Sequence, residues 1–186
     1  MGYDSAETRR RLLDAAYHEF AARGLAGARV DRIALEAGAN KQAIYAYFGS
    51  KDGLFDAVLE NRLGILADRV PFTPDDVPSY VLALFDHLVK EPELTRLTEW
   101  KSLEREDASA LELESHQEKA RAIARAHGVS DERGMDVLML ALAAAKAWNT
   151  TAPSMRGHGA ARLARHRQAL AAAVDALVGD AVALAS

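Results

Sequence analysis

The chain has 186 residues, 49% hydrophobic and 27% charged, enough for one sizeable helical domain or a small domain joined to a larger one. It has no cysteine, which excludes a disulfide framework and a thiolate metal site and agrees with a cytoplasmic address. The net charge of −4 is unevenly spread: residues 1–51 carry eight Lys/Arg against six Asp/Glu, a balance of +2 that leaves −6 for the remainder and gives the N-terminal part a face that suits a polyanion.

Helical spacing recurs along the whole sequence, and no stretch alternates as a strand would, so the fold expected is all-α. The opening MGYDSAETRRRLLDAAYHEF lacks the apolar core of a signal peptide, and no later stretch is long and apolar enough to span a bilayer; no membrane partner is expected. Leu13, Ala16 and Phe20 mark a first helix, with Gly24 as its expected stop. Val30, Ile33, Ala34 and Ala37 mark a short second helix ended by Gly38. Asn40 is placed to cap a third helix through its side-chain oxygen, and Ser50 a fourth that runs to about Arg69. Pro71, Pro74 and Pro78 then forbid a continuous helix and mark a domain boundary. Beyond them the pattern predicts helices at about 78–90, 93–105, 109–127, 130–149 and 160–184, with a loop over 150–159.

The second and third helices, about eight residues each and joined by Gly38-Ala39-Asn40, have the dimensions of a helix-turn-helix over about 29–48. Ile44 and Phe48 are four apart and face inward, towards Val30, Ile33 and Phe20, while Lys41, Gln42 and Tyr45 project outward from the third helix. Such a helix can enter a major groove, where lysine and glutamine hydrogen-bond guanine and adenine edges and tyrosine offers a hydroxyl and an apolar ring. A small helical module that meets a protein through the same face is the competing reading.

The stretch RVDRIALEAGANKQAIYAYFGSKDGLFDAVL, residues 29–59, with Phe20-Ala-Ala-Arg-Gly24 before it, resembles the TetR family of bacterial transcriptional regulators. The spaced Ile-Ala, Ala-Gly, aliphatic-Tyr, Tyr-Phe and Ser-Lys pairs carry that resemblance. It implies a helix-turn-helix DNA-binding domain over 6–66 and a larger helical-bundle ligand-binding and dimerisation domain over 67–186. It further implies a homodimer on double-stranded operator DNA, usually a repressor, released by a small-molecule effector. By position, Lys41, Gln42 and Tyr45 would meet bases, and Tyr47, Lys51 and Arg29 would meet phosphates. The chain departs from the family pattern at Ala28-Arg29, where Ser or Thr often opens the second helix, and at Gln42, so the operator sequence does not transfer.

The C-terminal two-thirds carry no motif. Met135, Leu138, Leu142 and Ala145, and Leu163, Leu170, Val174, Leu177 and Ala181, form stripes on two alanine-rich helices suited to an intermolecular four-helix interface. Tyr80, Phe85, His87, Trp100, His116, Met139 and Trp148 are the candidates to line an effector cavity. No cofactor, metal or enzymatic activity is expected: the six histidines form no HExxH, and no phosphate-cradling loop or nucleophile elbow occurs. Glu104, Glu106, Asp107, Glu112 and Glu114 form an acidic run that a solvated face explains.

Overall fold

In the computed structural model the described residues are 2–105 and 107–183, with side chains from residue 5 onward. Glu106 of the acidic run and the last residue of the helix expected at 160–184 lie outside them. The described residues form helices and connections without strands: α1 (Gly2–Gly27), α2 (Val30–Glu36), α3 (Lys41–Phe48), α4 (Lys51–Arg69), α5 (Val77–Lys90), α6 (Pro92–Glu104), α7 (Ala110–His127), α8 (Asp131–Thr150), α9 (Pro153–Arg156) and α10 (Ala160–Ala183). The segment expected to be a loop contains the single turn α9, which Pro153 opens because its missing N–H has no intrahelical partner to lose.

The chain divides into two units. Unit 1 comprises Met1–Arg69 and Glu93–Asp107; unit 2 comprises Val70–Pro92 and Ala108–Ser186. α6 follows the proline-rich break in sequence yet packs with the N-terminal helices. Its Leu97 is fully buried in the same core as Leu12, Phe20, Ile33, Ile44 and Phe55. Phe20 and Phe55 meet edge to face at 5.0 Å in this core.

Local chemistry sets the helix ends. Asn40 Oδ1 accepts from the Ala43 amide at 2.8 Å, and Ser50 Oγ from the Gly53 amide at 2.9 Å. Asp76, Ser109 and Ser130 cap α5, α7 and α8 in the same way, with Glu112 completing a capping box on α7. The Gly24 stop is instead a kink. Gly24 takes φ 68 and ψ 179, and helical structure resumes for one turn to Gly27.

Unit 2 packs α7 on α8, α5 on α8, and α10 on both α5 and α8. Leu84, Phe85 and Leu88 of α5 share its buried set with Ile123 of α7, Val137 and Leu138 of α8, and Leu170 and Val174 of α10. Of the expected stripes, Leu138, Ala145, Leu170 and Val174 are buried and the flanking members are half-buried. Among the described residues no helix is long and apolar enough to cross a membrane.

Candidate nucleic-acid interface

The helix-turn-helix is built from α2, the turn 37–40 and α3. Gly38 turns the chain at φ 59, a left-handed conformation that costs glycine little, and Gly49 closes α3. Ile44 is fully buried and anchors α3 to the core. Phe48 reaches the core less completely than its spacing suggests: it is half-buried, with the Arg9 guanidinium 5.3 Å above its ring. Fixing one face of an eight-residue helix by Ile44 leaves the other in solvent.

That outer face carries Lys41, Gln42 and Tyr45, all exposed, with Tyr45 45% accessible. Lys41 Nζ lies 3.0 Å from Asp31 of α2, and this hydrogen bond and charge raise its pKa further, so it is an ammonium at any physiological pH. Tyr47 is 37% exposed, and its hydroxyl donates to Ser5 Oγ at 3.0 Å. Arg29 opens α2 with an exposed side chain. Lys51 is half-buried; its Nζ donates to the carbonyls of Ala28 at 3.2 Å and Ala26 at 3.4 Å, closing the end of α1 from the first residue of α4. Unit 1 therefore brings together all six residues singled out for DNA.

Two supports of this face lie outside the sequence expectations. Glu19 of α1 accepts from the Arg29 amide at 2.9 Å and pairs with Arg32 and Arg23. It supplies from another helix the cap that Ala28-Arg29 lacks, since Arg29 itself makes no side-chain cap. Burial pushes the Glu19 carboxyl up, but hydrogen bonds from Arg32 and the Arg29 amide, with the charges of Arg32 and Arg23, hold it below the usual carboxylate range. Glu104 of α6 accepts from the amides of Leu25 and Ala26. Glu19 was detectable as an acid three residues after Ala16 on an otherwise apolar face; Glu104 carried no such signal.

The seven residues expected around an effector separate. Tyr80 is buried edge-on to Phe72 at 5.0 Å, and burial raises its pKa. Phe85 and Trp148 are buried, and the ring of His166 lies 5.6 Å and 5.1 Å from theirs. His87 is half-buried on α5. Three depart from expectation. Trp100 belongs to unit 1, where its ring lies against Gly24. Met139 is 58% exposed on the outside of α8. His116 Nδ1 is bound to the Glu112 carbonyl of its own helix at 2.8 Å. His166 lies outside the expected set; its Nε2 is buried with no hydrogen-bond partner, and burial and the Arg162 charge lower its pKa. Among the described residues no group of three or more His, Cys, Asp or Glu is placed to hold a metal ion.

Comparison with known proteins agrees with this architecture in both parts of the chain. Residues 12–58 match the model of bacterial regulatory proteins of the tetR family, and residues 76–175 match that of the tetracyclin repressor-like C-terminal domain. The HTH-type transcriptional repressor SCO4008 of Streptomyces coelicolor is 41% identical over 162 residues, covering 82% of this chain and 83% of that protein. Among solved structures, the putative transcriptional regulator SCO4942 of Streptomyces coelicolor superposes with a TM-score of 0.77 at 33% identity, over 91% of this chain and 97% of that one. A TetR-like regulator from Rhodococcus sp. RHA1 shares the fold at a TM-score of 0.69 and 17% identity, over 95% and 96% of the two chains. With a capped, outward-facing α3 anchored in the core of unit 1 and family matches in both halves, the chain belongs to the TetR family of bacterial transcriptional regulators, DNA-binding proteins rather than enzymes.

Proposed function

We propose that this regulator is a homodimeric repressor that reads operator DNA with Lys41, Gln42 and Tyr45 and is released by a small molecule bound in unit 2. The observation that carries the reading is the two-sidedness of α3, fully buried at Ile44 and solvent-facing at those three residues. Lys41 and Gln42 stand in the first turn, where a recognition helix meets base edges, and Tyr45 stands one turn further on. Arg29 and Tyr47 contact phosphates on either side, and Lys51 orders the α1 end before it adds its charge to the backbone contact.

Selection of bound duplexes from genomic fragments tests the reading directly. Tyr45→Ala is expected to change which sequences are enriched and to cost about 1–3 kcal/mol on the best site. Arg29→Ala is expected to weaken all sequences alike and to reduce the dependence of log K on log salt by about one unit. An affinity that does not fall with added salt would instead favour a protein partner for this face.

The dimer is assigned to α8 and α10. Met139 and Leu140 are exposed on α8, beside an α10 whose outward positions are largely alanine. Arg133 Nη1 donates to the Ala181 carbonyl, so the start of α8 lies at the end of α10. Acidic residues gather at that end (Asp131, Glu132, Asp136, Asp175, Asp180), and basic ones at the other (Lys146, Arg162, Arg165). A second copy related by a two-fold axis sets each acidic end on a basic one. Met139→Glu combined with Leu140→Glu is expected to sediment at the 20.1 kDa of one chain, where the parent sediments at twice that mass.

The effector reading rests on the Tyr80, Phe85, His87 and Trp148 region, with His166 as its polar contact. A neutral imidazole with one buried, unpartnered nitrogen gains a hydrogen bond from a ligand that reaches it. Release requires the effector to prefer one conformation of the dimer, since equal affinity for both shifts nothing. Two recognition helices must meet half-sites about one helical turn apart, so a small change in their separation breaks simultaneous contact.

A further inference from the structure

The connection from α1 to α2 is fastened by side chains of three different helices. At Gly24 the backbone leaves the helix, and its carbonyl then accepts from the Ala28 amide at 3.2 Å, so residues 25–28 form a separate turn. The first amides of any helical turn have no partner within it. Here those amides are Leu25 and Ala26, and both are taken by one carboxylate: Glu104 Oε2 accepts from Leu25, and Oε1 accepts from Ala26 at 3.0 Å. Trp100, one turn earlier on α6, fills the space beneath Gly24, where a Cβ would come within 2.8 Å of its ring. The carbonyl side of the same turn, at Ala26 and Ala28, is held by Lys51, and the next amide, Arg29, by Glu19.

α6 is itself fixed to unit 1 at both ends. His18 Nδ1 and Glu93 Oε2 are 3.0 Å apart, Arg105 pairs with Asp56 and Asp52 of α4, and Leu97 is fully buried between these contacts. Yet the chain on each side of α6 belongs to unit 2, as Val70–Pro92 before it and Ala108–Ser186 after it. A displacement of either flanking segment pulls on α6 through covalent bonds. The side chain at its last turn, Glu104, is the one that grips the turn leading into the helix-turn-helix.

We propose that Glu104 is a positioning residue for DNA reading, holding the α1–α2 turn from α6 through its paired hydrogen bonds to the Leu25 and Ala26 amides. The inference rests on α3 being the DNA-reading helix. Drawing α6 away frees both amides, loosens the turn that Lys51 and Glu19 also hold, and lets α2 and α3 depart from the geometry the operator needs.

Charge and position predict opposite signs for the decisive variant. Removing a carboxylate from a chain of net charge −4 favours DNA if charge alone acts. Positioning predicts that full-length Glu104→Ala binds an operator duplex recovered by genomic selection about tenfold more weakly, with Glu104→Gln, which keeps one acceptor oxygen, in between. Glu118→Ala, which removes the same charge from an exposed site on α7, is expected to bind as well as the parent or better. By hydrogen exchange, the Leu25 and Ala26 amides are expected to open about tenfold faster in Glu104→Ala while Ile33 and Ile44 keep their protection. Unchanged or tighter binding by Glu104→Ala overturns the proposal, and so does loss of Ile44 protection in both Glu104 variants, which would make Glu104 a general stability residue. If Tyr45→Ala also leaves binding intact, it is the placement of α3 on DNA that fails.

Discussion

Glu19→Ala is expected to destabilise unit 1 by about 3 kcal/mol and to weaken operator binding with it. Glu19 is only 7% exposed and makes its contacts with one carboxylate: the Arg29 amide at 2.9 Å, Arg32 Nε at 2.9 Å, Arg32 Nη2, and Arg23 Nε at 3.4 Å. The Arg29 amide is the least replaceable of these partners. It belongs to the first residue of the helix-turn-helix, which has no side-chain cap of its own, so alanine at 19 leaves it without an acceptor. Arg32 Nη2 also donates to the Gly27 carbonyl, so truncating Glu19 releases a guanidinium that ties α2 back to α1. Urea unfolding of the variant measures the loss.

The same carboxylate sets a pH dependence. Its pKa in the folded protein is below the ordinary value of 4.5, so the folded state binds fewer protons than the unfolded one near that pH. The stability it contributes is therefore fully present above pH 4.5 and is lost as pH falls through the lower folded value. A Glu19→Gln variant lacks this titration. The parent is expected to exceed it in stability at neutral pH and to converge on it in acid.

What was legible in the sequence was what neighbouring residues decide. Asn40 and Ser50 cap through amides three residues on, and Ile44 is buried because its helix has one apolar face. Gly38 marks a turn whose backbone sign suits glycine. What was not legible depended on distant partners. Lys51 also donates to carbonyls 25 and 23 residues earlier, contacts that no periodicity records. Trp100 and Met139 read as cavity candidates beside Phe85 because all are large or polarisable groups among smaller aliphatics. One sits with unit 1 and another on an outer face, because chain order does not fix which unit a helix joins or which side of α8 faces inward. Gly24 reads in sequence as a helix end, whereas Trp100 and Glu104 make it a close-packed kink.

Gly134→Val is expected to lower the stability of unit 2 by about 3 kcal/mol or more and the melting temperature by about 10 °C. Gly134 is buried on α8, where a Cβ would lie 2.3 Å from the Ala120 carbonyl oxygen and 3.2 Å from Ala124 Cβ on α7. The obstacle is backbone, which cannot turn aside as a flexible side chain does. The two helices must separate, which loosens the packing around the buried Ile123, Val137 and Leu138. α8 also carries Met139 and Leu140, so the variant is expected to lose dimerisation and tight operator binding while Ile44 keeps its exchange protection in unit 1. Gly134→Ala separates two opposing effects. Helix propensity alone favours alanine by about 1 kcal/mol within a helix, whereas overpacking against a carbonyl costs about 1–3 kcal/mol. A net loss of stability in Gly134→Ala is the expected result, because a single methyl already falls inside the 2.3 Å contact.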